Sequence, residues 1–487
     1  MAESEQVAPA ALSVLERTVE FKWFEEACIE LARGIMEKAL EELDDALLAH
    51  KPKGYKVAGF RTKVLGSRVG DVRIRRRLYV KATKPKGKRE KGRFVLDECL
   101  NLHPRRRMTE GLARLAISLA LRLPFREVEA VLCEAGMSSL SHATIHQEVR
   151  RYGEELSKLQ ERIALGQACE GEVKRRKVPV IFLEVDGVMV RRQRSKKRRL
   201  EIKVGVGYEG WEEIGPDGEI RRLVRPWVFA GAYESVEAFW EALTGELERR
   251  YEIDDETIIV VNGDGAEWIQ KTAREYLPNA IVQLDRFHLR RMVRQAFGGK
   301  VEKGLWELLQ KGDDEAFLDT LESLVSGATS EQNRQDRRKV VAFVKLYREH
   351  LLDYRFRLQD GERRYTSEFE GIRLHGLGVV ETVLDKKIAN RMKKRGMAWS
   401  VDGAGAMVAF LVSRGNNKLQ EALSGLLGPD VLNPVSVKET VCPRIKKAGK
   451  EDPADWLKGR VTALASPVEG LWMRVLHDLV SPQWSAV

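Results

Sequence analysis

Cysteine is scarce. Cys28, Cys99, Cys133, Cys169 and Cys442 are scattered with no CxxC spacing, which indicates neither a disulfide framework nor a cysteine-based zinc site and fits a reducing cytoplasm. Long hydrophobic runs are missing as well. Even Gly111 to Pro124 is broken by Arg114 and Arg122, so no segment approaches the roughly 18 apolar residues of a membrane span, and no membrane partner is expected. The opening Met-Ala-Glu-Ser-Glu-Gln lacks the basic start and apolar centre of a secretory signal, which predicts a cytoplasmic protein. No internal repeat is apparent. Hydrophobic residues at 43% and charged residues at 32% of 487 fit a globular chain of about three domains.

What the chain does have is an uneven basic excess. The whole sequence carries a formal charge of +11, yet residues 51–93 alone hold 17 Lys/Arg against Asp71 and Glu90, a local balance of +15 that leaves the remainder at −4. Tyr55, Phe60 and Tyr79 are interleaved with these cations. Such density is the footprint of a polyanion contact, with a solvated basic face as the plainer alternative. Alternation in Val72-Arg-Ile-Arg-Arg-Arg-Leu-Tyr-Val80 and glycines at 54, 59, 66 and 70 predict one or two β-hairpins, with Arg73, Arg75, Arg76 and Arg77 as phosphate contacts. Lys84 to Gly92 reads as a loop. Before this region, Val14 to His50 places apolar residues at helical spacing, predicting an amphipathic helix that packs on the core or pairs with a second subunit.

Phe125–Ala135, the turn Gly136–Ser141 and His142–Tyr152 lay out a helix-turn-helix, the second helix introduced by a Ser cap. His142, Thr144, Gln147, Arg150 and Arg151 would then face a major groove, whereas an ordinary helical hairpin is the bland alternative. His142 and His146 stand four apart but have no third metal ligand near in sequence.

Near Val173 the pattern becomes β-rich. Val178–Val185, Leu200–Tyr208 and Arg225–Ala230 read as strands, the first two joined by the basic turn Arg191 to Arg199. A helix over Ser235–Tyr251, a strand over Thr257–Val261, a helix over Ala266–Tyr276, a strand over Ala280–Leu284 and a helix from Phe287 follow. The order β-β-β-α-β-α-β-α predicts an RNase H-like α/β domain, three antiparallel strands extended by two parallel ones with helices on both faces. A charged helical insertion occupies about 300–370.

In that arrangement Asp186, at the end of the first strand, and Asp264, just after the fourth, meet at one sheet edge. Two adjacent carboxylates repel unless a cation lies between them, and Mg²⁺ suits an all-oxygen site; two such ions can activate a nucleophile and stabilise the leaving oxygen of a phosphodiester. Asp-Gly turns are common, so the joint placement carries the argument. A third acid should come from a helix after the insertion. Glu381 opens such a helix behind Gly376 and Gly378, with Glu368, Glu370 and Asp385 as competitors.

Asp186, Asp264, Asp285-Arg-Phe-His288, a helical insertion and Glu381 together resemble the DDE transposases of the Mutator-like superfamily. More narrowly, Glu184-Val-Asp-Gly, Gly263-Asp-Gly-Ala-Glu-Trp-Ile269, Leu284-Asp-Arg-Phe-His288 and Arg391-Met-Lys-Lys-Arg-Gly-Met-Ala-Trp-Ser400 resemble the ISLre-type insertion-sequence transposases of bacteria. The resemblance covers essentially the whole chain. It implies metal-dependent cleavage and strand transfer on double-stranded DNA, both element ends and target. Asp186, Asp264 and Glu381 would hold two Mg²⁺ ions, with Mn²⁺ as a substitute, while Asp285 and His288 would be auxiliary. A nucleoid-associated homo-oligomer is expected. The plainer reading of Asp285 and His288 is a helix cap and a satisfied histidine. The expected organisation is an amphipathic, oligomerising helix in 1–50, a basic hairpin region in 51–95, a helix-turn-helix domain in 96–172 and the first part of the catalytic core in 173–299. The helical insertion in 300–372, the helix of the third acid in 373–400 and a helical C-terminal region in 401–487 complete it. Two other readings stay open: a catalytically inactive DNA-binding derivative, and an RNase H-like nuclease without strand transfer.

Overall fold

A computed structural model describes residues 24–82, 92–103, 106–168, 174–214, 220–360, 374–394 and 396–428. Several expectations fall outside these residues: the helix start at 14–23, the loop at 84–91, Glu368, Glu370, Arg395, and the C-terminal region from 429. The side chain of Asp385 is outside them too. The described residues form two compact units, one drawn from those up to 149 and from 423–428, the other from those within 150–422.

In the first unit, α1 (Phe24–Ala46) lies on a hairpin of β1 (Tyr55–Ser67) and β2 (Gly70–Lys81). The basic region is therefore a single hairpin, with a bulge between Val57 and Phe60 where Gly59 takes φ +109°. Met36, Leu40 and Leu43 of α1 are partly buried against the cluster of Leu65, Val72, Ile74 and Leu96, while Ile35 of the same helix is exposed. α2 (Val95–Cys99) and α3 (Glu110–Ala120) lead to α4 (Phe125–Glu134) and α5 (His142–Ala164), the last running well past the expected end at Tyr152.

The second unit is built on a mixed sheet. Its strands are β3 (Val180–Arg192), β4 (Arg199–Tyr208), β7 (Trp227–Gly231), β8 (Ile258–Gly263) and β9 (Ile281–Leu284), in the spatial order β7-β4-β3-β8-β9. β3 and β4, and β4 and β7, pair antiparallel; β3 with β8 and β8 with β9 pair parallel. Three antiparallel strands extended by two parallel ones is thus the observed arrangement. The continuous Val/Ile runs explain it, because strands covered on both faces need apolar residues at every position. Ile181, Leu183, Val185 and Val261 face Phe239, Trp240 and Leu243 of α6 (Val236–Arg250). On the other face Phe182 stacks on Tyr208 and meets Trp211 and Tyr354.

Two strand features escaped the sequence pattern: a small hairpin of β5 (Trp211–Ile214) with β6 (Ile220–Leu223), and the two-residue β10 (Ala398–Trp399), which pairs parallel with Arg191 and Arg192. The helix expected over 266–276 is split into α7 (Glu267–Gln270) and α8 (Thr272–Tyr276). α9 (Arg286–Phe297) opens the insertion, and α10 (Gly299–Gln310), α11 (Asp314–Ser323) and α12 (Glu331–Leu346) close a core of their own around Leu305, Phe317, Leu321 and Val344. α13 (Tyr354–Asp360) leads out of it. α14 (Val379–Val383) begins a helical run that widens into a π turn over 384–389 before α15 (Asn390–Met392), and α16 (Val401–Gly415) and α17 (Leu419–Leu427) follow. Among the described residues no helix is long and apolar enough to cross a membrane.

Candidate active site at the sheet edge

Asp186 is not at the end of its strand. β3 continues to Arg192, and Asp186 pairs with Val204 across the antiparallel ladder. What ends beside it is the parallel ladder with β8, whose last rung is Val185 with Gly263. Asp186 and Asp264 are therefore each the first residue beyond that rung. Asp264 accepts the Ala266 N–H at 2.9 Å in a tight turn. Gly265 makes this turn possible, with φ +94° and no room for a Cβ, which would meet the Phe343 ring at 2.2 Å.

The third acid comes from α14. The Glu381 carboxylate lies 3.4 Å from Nε2 of His288, whose Nδ1 is 3.0 Å from the Asp285 carboxylate. Asp285 caps α9 by accepting the His288 backbone N–H, and its other oxygen accepts from the Asn262 amide at 2.9 Å. Cap and imidazole partner are thus one carboxylate in two roles.

The electrostatics tie these groups together. Burial pushes the Asp186 pKa up to about 7; the charges of Asp264 and Glu381 push the same way, and the Gly187 N–H and His288 oppose them. For His288, the bond to Asp285 raises the pKa against desolvation, with help from Asp186 and Asp264. Burial also pushes Asp285 upward, but its bonds from His288 and Asn262 outweigh that and hold it below the ordinary carboxylate range.

Glu184 was missed as a site residue. It is fully buried two positions before Asp186, and it accepts the Tyr208 hydroxyl at 2.6 Å and the backbone N–H groups of Gly378 and Val380 at 3.0 and 3.1 Å. It therefore fastens the start of the Glu381 helix to the sheet. Burial raises its pKa, against the bonds it accepts. The available signal was a lone acid inside the apolar run Val-Ile-Phe-Leu-Glu-Val. Such a residue survives in a core only when its bonds are met.

As donors, three carboxylates and one imidazole suit a hard divalent cation, which would offset the burial of Asp186 and, beside it, the charges of Asp264 and Glu381. Among the described residues, however, no three His, Cys, Asp or Glu side chains converge closely enough to hold an ion as they stand. The acids share one electrostatic neighbourhood but are not drawn into a finished ligand cluster.

The remaining candidates lie along the basic hairpin and α5. Arg73 and Arg75 are exposed, Arg75 resting on the Phe60 ring at 4.3 Å. Arg76 is buried, pairs with Asp97 and stacks on Phe94, while Arg77 is held by Asp44 and Asp45 at 2.8 and 2.6 Å. His142 is bonded to Glu129 through both its backbone N–H and its ring. Thr144 bonds the Ser141 cap, Gln147 is exposed, Arg150 pairs with Glu154, and Arg151 lies over Tyr152.

Residues 17–423 match the family described as "Uncharacterised protein family (UPF0236)". A similar relative is the UPF0236 protein in the vanSb 3′ region of Streptococcus gallolyticus, 25% identical over 399 residues that cover 80% of each chain. Two others come from Caldanaerobacter subterraneus subsp. tengcongensis. One, named for four loci, is 24% identical over 404 residues, covering 80% of this chain and 76% of its own. The second, named for two loci, is also 24% identical over 404 residues, covering 80% of this chain and 73% of its own. With its fold and site carried almost wholly within the matched span, the chain belongs to the UPF0236 family.

Proposed function

We propose that the protein is a DNA transposase of the ISLre type, with an RNase H-like catalytic unit that cuts element ends and joins them to target DNA. The observation that carries this reading is the last parallel rung, Val185 with Gly263, which leaves Asp186 and Asp264 side by side, with Glu381 close enough for its charge to raise the Asp186 pKa. The sheet order and the helical insertion between β9 and α14 are the arrangement the resemblance implies. The Caldanaerobacter relatives named for several loci fit an element that copies itself within a genome.

Asp186, Asp264 and Glu381 would hold Mg²⁺, or Mn²⁺ in its place. Once bound, the metal supplies a more acidic nucleophile and stabilises the leaving oxygen of the phosphodiester. The rest falls to the chain. Asp285 orients His288, and the imidazole places positive charge beside Glu381 and offsets the acids. Exposed Arg73 and Arg75 supply backbone contacts from the first unit, and a homo-oligomer would bring two ends together.

Full-length protein incubated with Mg²⁺ and duplex from the flanks of its coding region should cut at the element end. Asp186→Asn and Glu381→Gln should bind that duplex and leave it intact. Cleavage by either variant at the parental rate would overturn the assignment, and a parent that binds one terminal sequence without cutting would be a DNA-binding derivative.

A further inference from the structure

Seven cations and no carboxylate occupy Arg191 to Arg199, the turn between β3 and β4. Arg191, Arg194, Lys196, Lys197, Arg198 and Arg199 are exposed, and among the described residues no acid pairs with any of the seven. Arg194 adopts φ +50°, a region that glycine or asparagine enters more easily. A solvated tip of mixed charge would meet every need of the fold, so an unbroken positive tip is unexplained by stability.

Its placement says what it meets. β8 stops pairing at Val185 and β7 reaches β4 only as far as Lys203, so Gly187–Ile202 continues past both neighbours as an arm, its base packed through Val188, Val190 and Ile202 and its end joined by β10, beyond the edge where the acids gather. Ligands of such sheets seat outside the carboxyl ends of the parallel strands, so a duplex on the acids runs alongside the arm. The tip is also held in place. Arg192 N–H bonds the Arg198 carbonyl, Gln193 bonds the carbonyls of Ala398 and Trp399 at 2.6 and 2.8 Å, and β10 flanks Arg191 and Arg192. Little ordering is left to be done on binding, which favours a defined contact over a loose tether.

We infer that this arm is a second DNA contact, carried by the catalytic unit itself, in which the Arg191–Arg199 tip grips backbone phosphates away from the reacting bond. The inference rests on the transposase reading and adds the register. Arg192 is six residues past Asp186, about 20 Å along an extended strand. At about 3.4 Å per base pair, the gripped phosphates lie about six base pairs from the one at the acids.

The test replaces Arg194, Lys196, Lys197 and Arg198 with Gln in the full-length chain and measures binding to element-end duplex across a salt series, with hydroxyl-radical protection alongside. The slope of log affinity against log salt should fall by about 3 to 4. Protection about six base pairs from the cut should vanish while protection elsewhere persists. All four side chains are exposed, so an unchanged melting temperature should accompany the loss. An unchanged slope and footprint overturn the inference even if the parent cuts DNA. A reduced slope in a protein that never cuts keeps the arm contact and sinks the transposase reading.

Discussion

His288 and Glu381 meet at 3.4 Å, which joins the helix that follows β9 to the helix that follows the insertion. Because the other ring nitrogen is held by Asp285, the imidazole cannot swing away without breaking a bond 3.0 Å long. Removing it by His288→Ala should leave Glu381 without its partner and the acids without an offsetting charge. Cleavage should fall by about 10- to 100-fold, as is usual when a residue orienting a metal ligand is lost. His288→Ala cutting at the parental rate would make the histidine a mere cap neighbour.

The raised pKa of Asp186 makes metal-free stability depend on pH. Between the ordinary aspartate range and about 7, the native chain keeps a proton the unfolded chain has released, so stability declines as pH rises through that window. The full effect is at most about 4 kcal/mol. His288 acts with the same sign: its pKa is raised in the native state, so its contribution is complete below the ordinary histidine value and lost as pH passes the raised one. Melting curves in chelator should therefore drop from pH 5 to pH 8, and Asp186→Asn should flatten the drop and melt higher than the parent at pH 8. Adding Mn²⁺ at pH 8 should raise the melting temperature of the parent and not of the variant. A parent whose stability climbs toward pH 8 would contradict the assignment.

Arginines adjacent in sequence should behave oppositely. Arg73 and Arg75 project from the hairpin, so replacing both with Gln should lower the salt slope of DNA binding by about 2 with no change in melting. Arg76 is buried with Asp97, and Arg76→Ala should leave that carboxylate with only Lys63, 3.9 Å away, and destabilise the first unit by about 3 kcal/mol. Equal effects on melting from the two replacements would show that the hairpin's exposed face is structural as well.

This division was not readable from Val72-Arg-Ile-Arg-Arg-Arg-Leu-Tyr-Val80, where alternation assigns a face to each arginine but not a partner. Asp44 and Asp97, which decide the matter, are distant in sequence and look like ordinary helix-surface acids. The sheet was legible for the opposite reason. Val180–Leu183 and Ile258–Val261 are apolar at every position, and that is the local mark of strands covered on both faces. Asp186 was found for the right edge but the wrong cause. The pattern shows where a strand loses its apolar run, not where one neighbour stops pairing while another continues. The short β10 has no local pattern at all, because two residues next to an anchored turn are held by the strand they join.

Glu184 offers the sharpest test of how the third acid is placed. Its bonds to Tyr208, Gly378, Val380 and Asn262 all run one way: these groups donate, and the carboxylate accepts. Glu184→Gln keeps the shape but replaces one accepting oxygen with an amide N–H₂, which leaves the Gly378 and Val380 N–H groups unmet or makes the Tyr208 hydroxyl accept instead of donate, at a cost of about 1–3 kcal/mol. The strain should appear first at the start of the Glu381 helix, whose docking depends on the bonds to Gly378 and Val380. Amide exchange at these two positions should therefore quicken in Glu184→Gln while the β8 amides keep their protection. Cleavage should fall with it, and more metal should be needed for half-maximal rate. Tyr208→Phe, which removes one donor and keeps both oxygens of Glu184, should move exchange the same way by a smaller amount. If exchange at Gly378 and Val380 is the same in parent and Glu184→Gln, the helix is held by its apolar side alone, through Val380 and Val383, and Glu184 has no part in placing Glu381.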